Sequence, residues 1–370
     1  MQFQATPLQK TVVLVGAAIA AATASATPMV DLAGVQYVQY GDGQSYSMPF
    51  AVEDKCGGNT SGCQYYVQSS PGQISNLVVL ATGTNNGPLN SNFAGMDNAY
   101  RTPDGNGGAP FFRSNASTYT GTQGTVNNNN ANTWDSSLSA LKGFLGGDQM
   151  VLFFNNNQIN SGAGSLQSLA AWGQLSITNA ANQVVGVYDF TNRGQQYGLF
   201  TSGLTGGVFM GDPSAYSSGG IGNPLAGNNT ATDYVLSGGS ICRLAGTPVP
   251  CSAPHDEEVN HNLGANNAAY AVLFPELTSQ LNGLFASLGD AALADYTLHV
   301  DVRLGCDPAA DQATCTAAPY GRELNNGYEQ LFMGTAAQVS ASGVPEPGSL
   351  ALVSVAVLGL ALAGRRRSAR

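Results

Sequence analysis

Between residues 27 and 343 the apolar positions recur every second residue or gather in short unbroken runs, so strands dominate the expectation. The clearest alternation lies in "DYTLHVDVRL", where Tyr296, Leu298, Val300, Val302 and Leu304 alternate with Thr297, His299, Asp301 and Arg303. A strict period of two sends one set to a core and the other to a polar face. This predicts a strand over 295–304 with His299 on its solvent side, neutral or salt-linked. "ISNLVVLATG" (74–83) and "QMVLFFNNNQ" (149–158) are apolar runs bounded by polar turns, each read as one strand. "WGQLSITNAANQVVGVYDF" (172–190) reads as a hairpin around Asn179-Ala180-Ala181-Asn182. "YEQLFMGT" (328–335) is the candidate for a strand returning beside 295–304.

Helical periodicity is rarer. Over 266–288, Leu277, Leu281, Leu284, Phe285 and Leu288 fall at i, i+4, i+7, i+8 and i+11, with Pro275 either kinking the helix or opening its second half. "WDSSLSALKGFL" (134–145) predicts a short helix capped near Trp134 or Asp135. Stretches 83–132 and 191–232 are rich in Gly, Asn, Ser and Thr and read as loops or irregular strands. The expectation is a mainly β fold: a β-sandwich, jelly-roll-like, over 27–253, with an α+β elaboration over 254–343.

The two ends are of another kind. Lys10, the apolar run "TVVLVGAAIAAATA" and Ala24-Ser25-Ala26 have the order of a secretory signal peptide over 1–26, cut by signal peptidase before about Thr27. At the other end an uncharged stretch from Gly348 to Gly364 is followed by Arg365, Arg366, Arg367 and Arg370. It sits at the lower edge of what spans a hydrocarbon core, and the arginines favour the cytoplasmic side. Pro345 and Pro347 hold the segment before it extended. Val344-Pro345-Glu346-Pro347, the short span and the arginine cluster together resemble a PEP-CTERM sorting signal. The resemblance covers 344–370 and implies handling by an exosortase. It also implies transient anchoring in the inner membrane of a Gram-negative bacterium, with delivery to the surface or to a biofilm matrix. It says nothing about the central body.

Charge narrows the partners. The chain carries a formal −10, and removing the two ends takes five basic residues and one acidic one, so the body is more acidic still. Such a surface argues against nucleic acid as a partner. The six cysteines fall into three close couples, Cys56 with Cys63, Cys242 with Cys251 and Cys306 with Cys315. In an exported chain these predict three local disulfides, and their spacing does not suit a zinc site.

The densest ionisable cluster is "HDEEVNHN". His255, Asp256, Glu257, Glu258 and His261 present oxygen ligands for calcium, or nitrogen and oxygen ligands for zinc or iron. The same residues also suit the start of a helix, with acids opposing its dipole and Asn260 or Asn262 as cap. Calcium is the one cofactor left open. No Gly-x-Ser-x-Gly elbow is present, and the cysteine couples leave no free thiol nucleophile, so no catalytic residue is assigned. Three functions follow in order: a non-enzymatic surface or matrix protein, a carbohydrate-binding module assisted by calcium, and a secreted hydrolase.

Overall fold

The computed structural model describes residues 29–60, 63, 65–67, 77–83, 90–103, 111–114, 133–157, 169–190, 196–199, 202–205, 235–249, 251, 253–260, 268–305, 324 and 329–337. The signal-like and sorting-like ends, His261, Cys306 and Cys315 lie outside them. Within the described residues the chain is a mixed α/β fold dominated by strands.

The largest sheet runs β12 (Ser202–Thr205), β11 (Gln196–Leu199), β2 (Tyr37–Tyr40), β3 (Gly43–Ser47), β17 (Tyr270–Leu273), β8 (Gln149–Asn155), β19 (Gln330–Ala336), β4 (Val78–Thr82) and β5 (Tyr100–Arg101). A short β1 (Met29–Val30) adds to β19 in parallel. A second sheet runs β10 (Val184–Phe190), β9 (Leu169–Thr178), β18 (Thr297–Gly305) and β6 (Phe111–Arg113). There β13 (Val235–Ser237) also pairs with β9, and β7 (Trp134–Ser137) with β18. A small third sheet holds β15 (Thr247–Val249), β14 (Ser240–Leu244) and β16 (Glu257–Asn260). Among the described residues four α-helices accompany them: α1 (Met48–Cys56), α2 (Leu138–Leu145), α3 (Pro275–Ser287) and α4 (Asp290–Leu293).

Alternation explains the layering. Val38, Leu152, Phe154, Val272 and Met333 from one face of the large sheet join Leu175, Ile177, Leu298, Val300 and Val302 of the second sheet in one buried cluster. The other face of the large sheet buries Tyr46, Val79, Val151, Phe153, Ala271 and Phe332 under the segment around Val30, Leu32 and α1. Strands β4, β8, β17 and β19 are therefore covered on both faces, which is why they read as continuous apolar runs. Packing there is tight: Phe153 stacks on Phe332 at 5.2 Å, and a Cβ at Gly334 would lie 2.8 Å from the Phe153 ring.

The helix termini follow local chemistry. Ser47 accepts a hydrogen bond from the Phe50 amide and Ser137 accepts one from the Ala140 amide, while Gly57 and Gly146 close α1 and α2 at positive φ.

Four expectations need correction. The helix placed from about 266 begins only at Pro275, because Tyr270–Leu273 is an interior strand between β3 and β8. Pro275 occupies the first helical turn, where its missing amide costs nothing. Trp134 and Asp135 are not the cap of the short helix; they lie in β7, and Ser137 caps α2. The 328–335 segment does not return beside β18 but enters the large sheet between β8 and β4. Finally, His299 is not at the surface: every residue of β18 is buried. By contrast, β9 and β10 do form the expected hairpin, closed by the Asn179 amide donating to the Gln183 carbonyl, with Asn182 at φ 55°.

Candidate functional site

The polar side of β18 faces inward onto a second polar row from β9. Cross-strand register sets Thr297 beside Thr178, His299 beside Ser176, Asp301 beside Gln174 and Arg303 beside Trp172. Each ionisable group has a matched partner. The Arg303 guanidinium lies 4.4 Å from the Trp172 ring centre and donates to Asp301 at 2.9 Å. Asp301 also accepts from the Ser114 hydroxyl at 2.7 Å, and that hydroxyl takes the Val302 amide. Gln174 donates to Asp189 at 2.5 Å. Burying charge is tolerable only with such pairing.

The row continues at His299. Its Nδ1 lies 2.8 Å from Asp135 Oδ1, on the neighbouring β7, and its Nε2 lies 2.8 Å from Thr178 Oγ1. Asp135 Oδ1 also accepts from the Thr133 hydroxyl at 2.6 Å. Burial pushes the Asp135 carboxyl above the usual aspartate range, against the opposing pull of the His299 and Thr133 hydrogen bonds. The β7 backbone is pinned by Asp97, whose carboxylate takes the Asp135 amide and whose carbonyl takes the Trp134 indole. Ser176 Oγ and Asp135 Oδ2 have no hydrogen-bond partner among the described residues, and neither has Gln174 Oε1 further along the same row. An unsatisfied buried polar atom costs about 1–3 kcal/mol.

A second cluster joins α1 to the small sheet. Arg243 on β14 is 4% exposed, with its guanidinium 3.9 Å from the Phe50 ring centre. It binds Glu257 through two nitrogens at 2.6 and 2.7 Å, both Asp54 oxygens at 2.8 Å, and Glu53 at 3.6 Å. A hydrogen bond with Glu257 raises the Glu53 carboxyl, while Arg243 holds Glu257 below the usual range. Beneath this clasp lies a cavity of about 40 Å³ walled by Tyr40, Phe50, Phe154, Phe190, Val235 and Ile241.

Of the candidate metal ligands, His261 lies outside the described residues, and His255, Asp256 and Glu257 are engaged with separate partners. Glu257 is committed to Arg243, the Asp256 carboxylate accepts the Ala245 amide, and the exposed His255 sits on the Ala253 carbonyl through Nδ1. The segment is strand β16 from Glu257 to Asn260, so Glu257 and Glu258 point to opposite sides, and neither the metal loop nor the helix start describes it. Among the described residues no group of three or more His, Cys, Asp or Glu side chains is placed to hold a metal ion. Cys56 is bonded to Cys63 and Cys242 to Cys251.

The sequence offered Asp135 only as a helix cap and gave no role to Thr178, Ser176 or Arg243. One signal was available. In a chain with only 10% charged residues, His299, Asp301 and Arg303 stand two apart on one strand, a density that favours internal pairing over solvation.

No curated protein and no solved structure matches the chain. A family model described as a domain of unknown function, DUF8239, matches residues 28–303. The match takes in β7, β9 and β18 as far as Arg303, together with the Arg243 clasp. The chain therefore belongs to the DUF8239 family.

Proposed function

We propose that this is an exported, non-enzymatic surface or extracellular-matrix protein whose body is a disulfide-stapled β-sandwich. Its tail, residues 344–370, is read as the sorting signal for an exosortase, after signal peptidase has removed residues 1–26. The observation that carries this reading is the order of the tail: Val344-Pro345-Glu346-Pro347, an uncharged stretch, then Arg365, Arg366, Arg367 and Arg370.

The body is consistent with life in an oxidising compartment. Each of its two described disulfides closes a short loop beside the Arg243 clasp, Cys56 at the end of α1 and Cys242 next to Arg243 itself. The core shared by the two large sheets supports the sandwich reading, as does the chain crossing between them from β8 to β9, from β17 to β18 and from β18 to β19. A jelly-roll-like order is our choice among sandwiches. The carbohydrate-binding alternative needs aromatic side chains at the surface, whereas Tyr37, Tyr40, Tyr46, Tyr100, Tyr188 and Tyr270 are core residues.

The test is fractionation of cells of an exosortase-bearing Gram-negative host making the full chain or a variant with Pro345, Glu346 and Pro347 changed to Ala. The wild type is expected at the surface or in the matrix, shortened at its C-terminus, with every thiol oxidised. The variant should stay at full length in the inner membrane. Equal surface delivery of both would reject the sorting reading.

A further inference from the structure

The core between the two large sheets is not filled evenly. A Cβ at Gly43 would lie 3.0 Å from the Phe190 ring, so that contact is closely packed. The same ring stacks on Phe154 and meets Tyr40 edge-on, each at 5.6 Å. With Phe50, Val235 and Ile241 these three rings wall the cavity of about 40 Å³ under the Arg243 clasp. Its lining comes to the surface at half-buried Gln36 and Val249 and at exposed Asp54, where Arg243 joins β14 to α1. The Cys242–Cys251 bond staples the β14–β15 hairpin, whose Pro248 and Val249 belong to the lining.

One water needs about 10–15 Å³ of such a cavity and roughly two to four polar partners. The volume therefore has room for roughly three waters, but the walls do not supply their partners. Among the polar side chains of the lining, Ser47 accepts the Phe50 amide, and Ser237 is bonded to Leu169 and Asn156. Asp54 and Arg243 are bonded to each other, and Arg243 to Glu257 as well. That leaves Ser45 inside and Gln36 at the rim. Such walls favour an apolar occupant, which gains dispersion contacts and gives up no hydrogen bond.

We propose that this cavity binds a small uncharged alkyl group of about three or four carbons, entering between α1 and the β14–β15 hairpin. The group is either a free small hydrocarbon or the end of a longer chain whose remainder lies outside, past Asp54. The rim sets the sign of what can follow it in. Glu53, Asp54 and Glu257 place three carboxylates around the single Arg243 guanidinium, which disfavours an anionic head. This adds a binding activity to the non-enzymatic reading above and does not depend on the sorting signal.

The experiment labels the methyl groups of the folded, oxidised full chain and follows their nuclear magnetic resonances as dissolved xenon, an apolar probe, is raised. Saturable shifts are expected at Val38, Val235 and Ile241, which line the cavity or wall it, and not at Val79 and Val151 in the other buried cluster. Ala171 also lines the cavity, and Ala171→Leu places three more carbons there. That variant is expected to lose the shifts and to melt no lower than the wild type. Should Ala171→Leu fail to fold, Val38→Ile, one carbon larger, is expected to weaken them. Propane and 1-octanol, followed at the same methyls, separate the two sources. Shifts with propane alone assign a free small molecule, and shifts with both assign the end of a longer chain. A folded wild type with no shift at the three methyls overturns the proposal. So do equal shifts at Val79 and Val151, shifts that persist in folded Ala171→Leu, or long-lived water detected beside Val235 and Ile241.

Discussion

The segment from His255 to Glu258 and the strand from Thr297 to Gly305 both carry histidine and acids, and their fates are opposite. The first is the denser run of ionisable residues, yet His255 is exposed and the acids serve separate local partners. The second alternates as a surface strand would, yet it is buried along its whole length with its charges paired. Charge density along a chain reports what a segment can offer; burial decides what it must do. In water a carboxylate loses little by lacking a partner, whereas inside a sheet it must find one.

The contrast predicts a gradient of effects. Arg303→Ala should be the most damaging change, because it leaves the Asp301 carboxylate buried beside an emptied space against Trp172. A loss of about 3–5 kcal/mol in urea unfolding is expected. A loss under 1 kcal/mol would mean that the polar face of β18 is open to water after all.

Arg243→Ala comes next, at about 1–3 kcal/mol. The cation is buried, but its carboxylate partners are a third to a half exposed and can be rescued by solvent. The same melt should show whether the small sheet loosens first, through earlier reduction of Cys242–Cys251 by a mild thiol.

The pH dependence should have two sides of opposite sign, each at most about 1.4 kcal/mol per pH unit for one proton. Burial pushes the Glu329 carboxyl well above its usual range, with only the Asn157 amide bonded to its Oε2. Its contribution is complete below the ordinary glutamate value and is lost as pH rises through the raised one. Glu257, held low chiefly by Arg243, contributes above the ordinary glutamate value, and that contribution is lost as pH falls through the lowered one. Urea midpoints across pH should show Glu329→Gln removing the alkaline-side loss and Glu257→Gln the acid-side loss. If both variants keep the wild-type profile, these two groups do not set it.

The smallest effect is expected at His255→Ala, within about 0.5 kcal/mol, since its one described bond is an exposed contact with the Ala253 carbonyl. Its melting temperature, with and without calcium, checks this. A calcium-dependent shift lost in the variant would return His255 to the metal reading.

Much of the strand content was legible because its signal is local. Val78–Thr82, Gln149–Asn155 and the hairpin of β9 and β10 follow from apolar runs and a turn rich in Asn. The helix starting at 266 misled because Tyr-Ala-Val-Leu suits either element when read alone; it is β3 and β8 on either side that hold it extended. The partner of 328–335 was illegible for a related reason. Backbone pairing carries no sequence label, and Gln330–Ala336 is assigned to β8 and β4 by which sheet has room for an apolar strand on both faces. The Thr178–His299–Asp135 series draws on residues far apart in the chain, so no spacing could reveal it.

By itself the sequence determined the β-rich character, the local cysteine couples and two ends unlike the body, because periodicity, short loops and runs of composition are properties of neighbours. Tertiary structure alone decided which face of β18 is inside, which acid meets Arg243 and which hydroxyl meets His299. Those outcomes depend on desolvation, and a side chain loses its water only when a distant part of the chain comes to cover it.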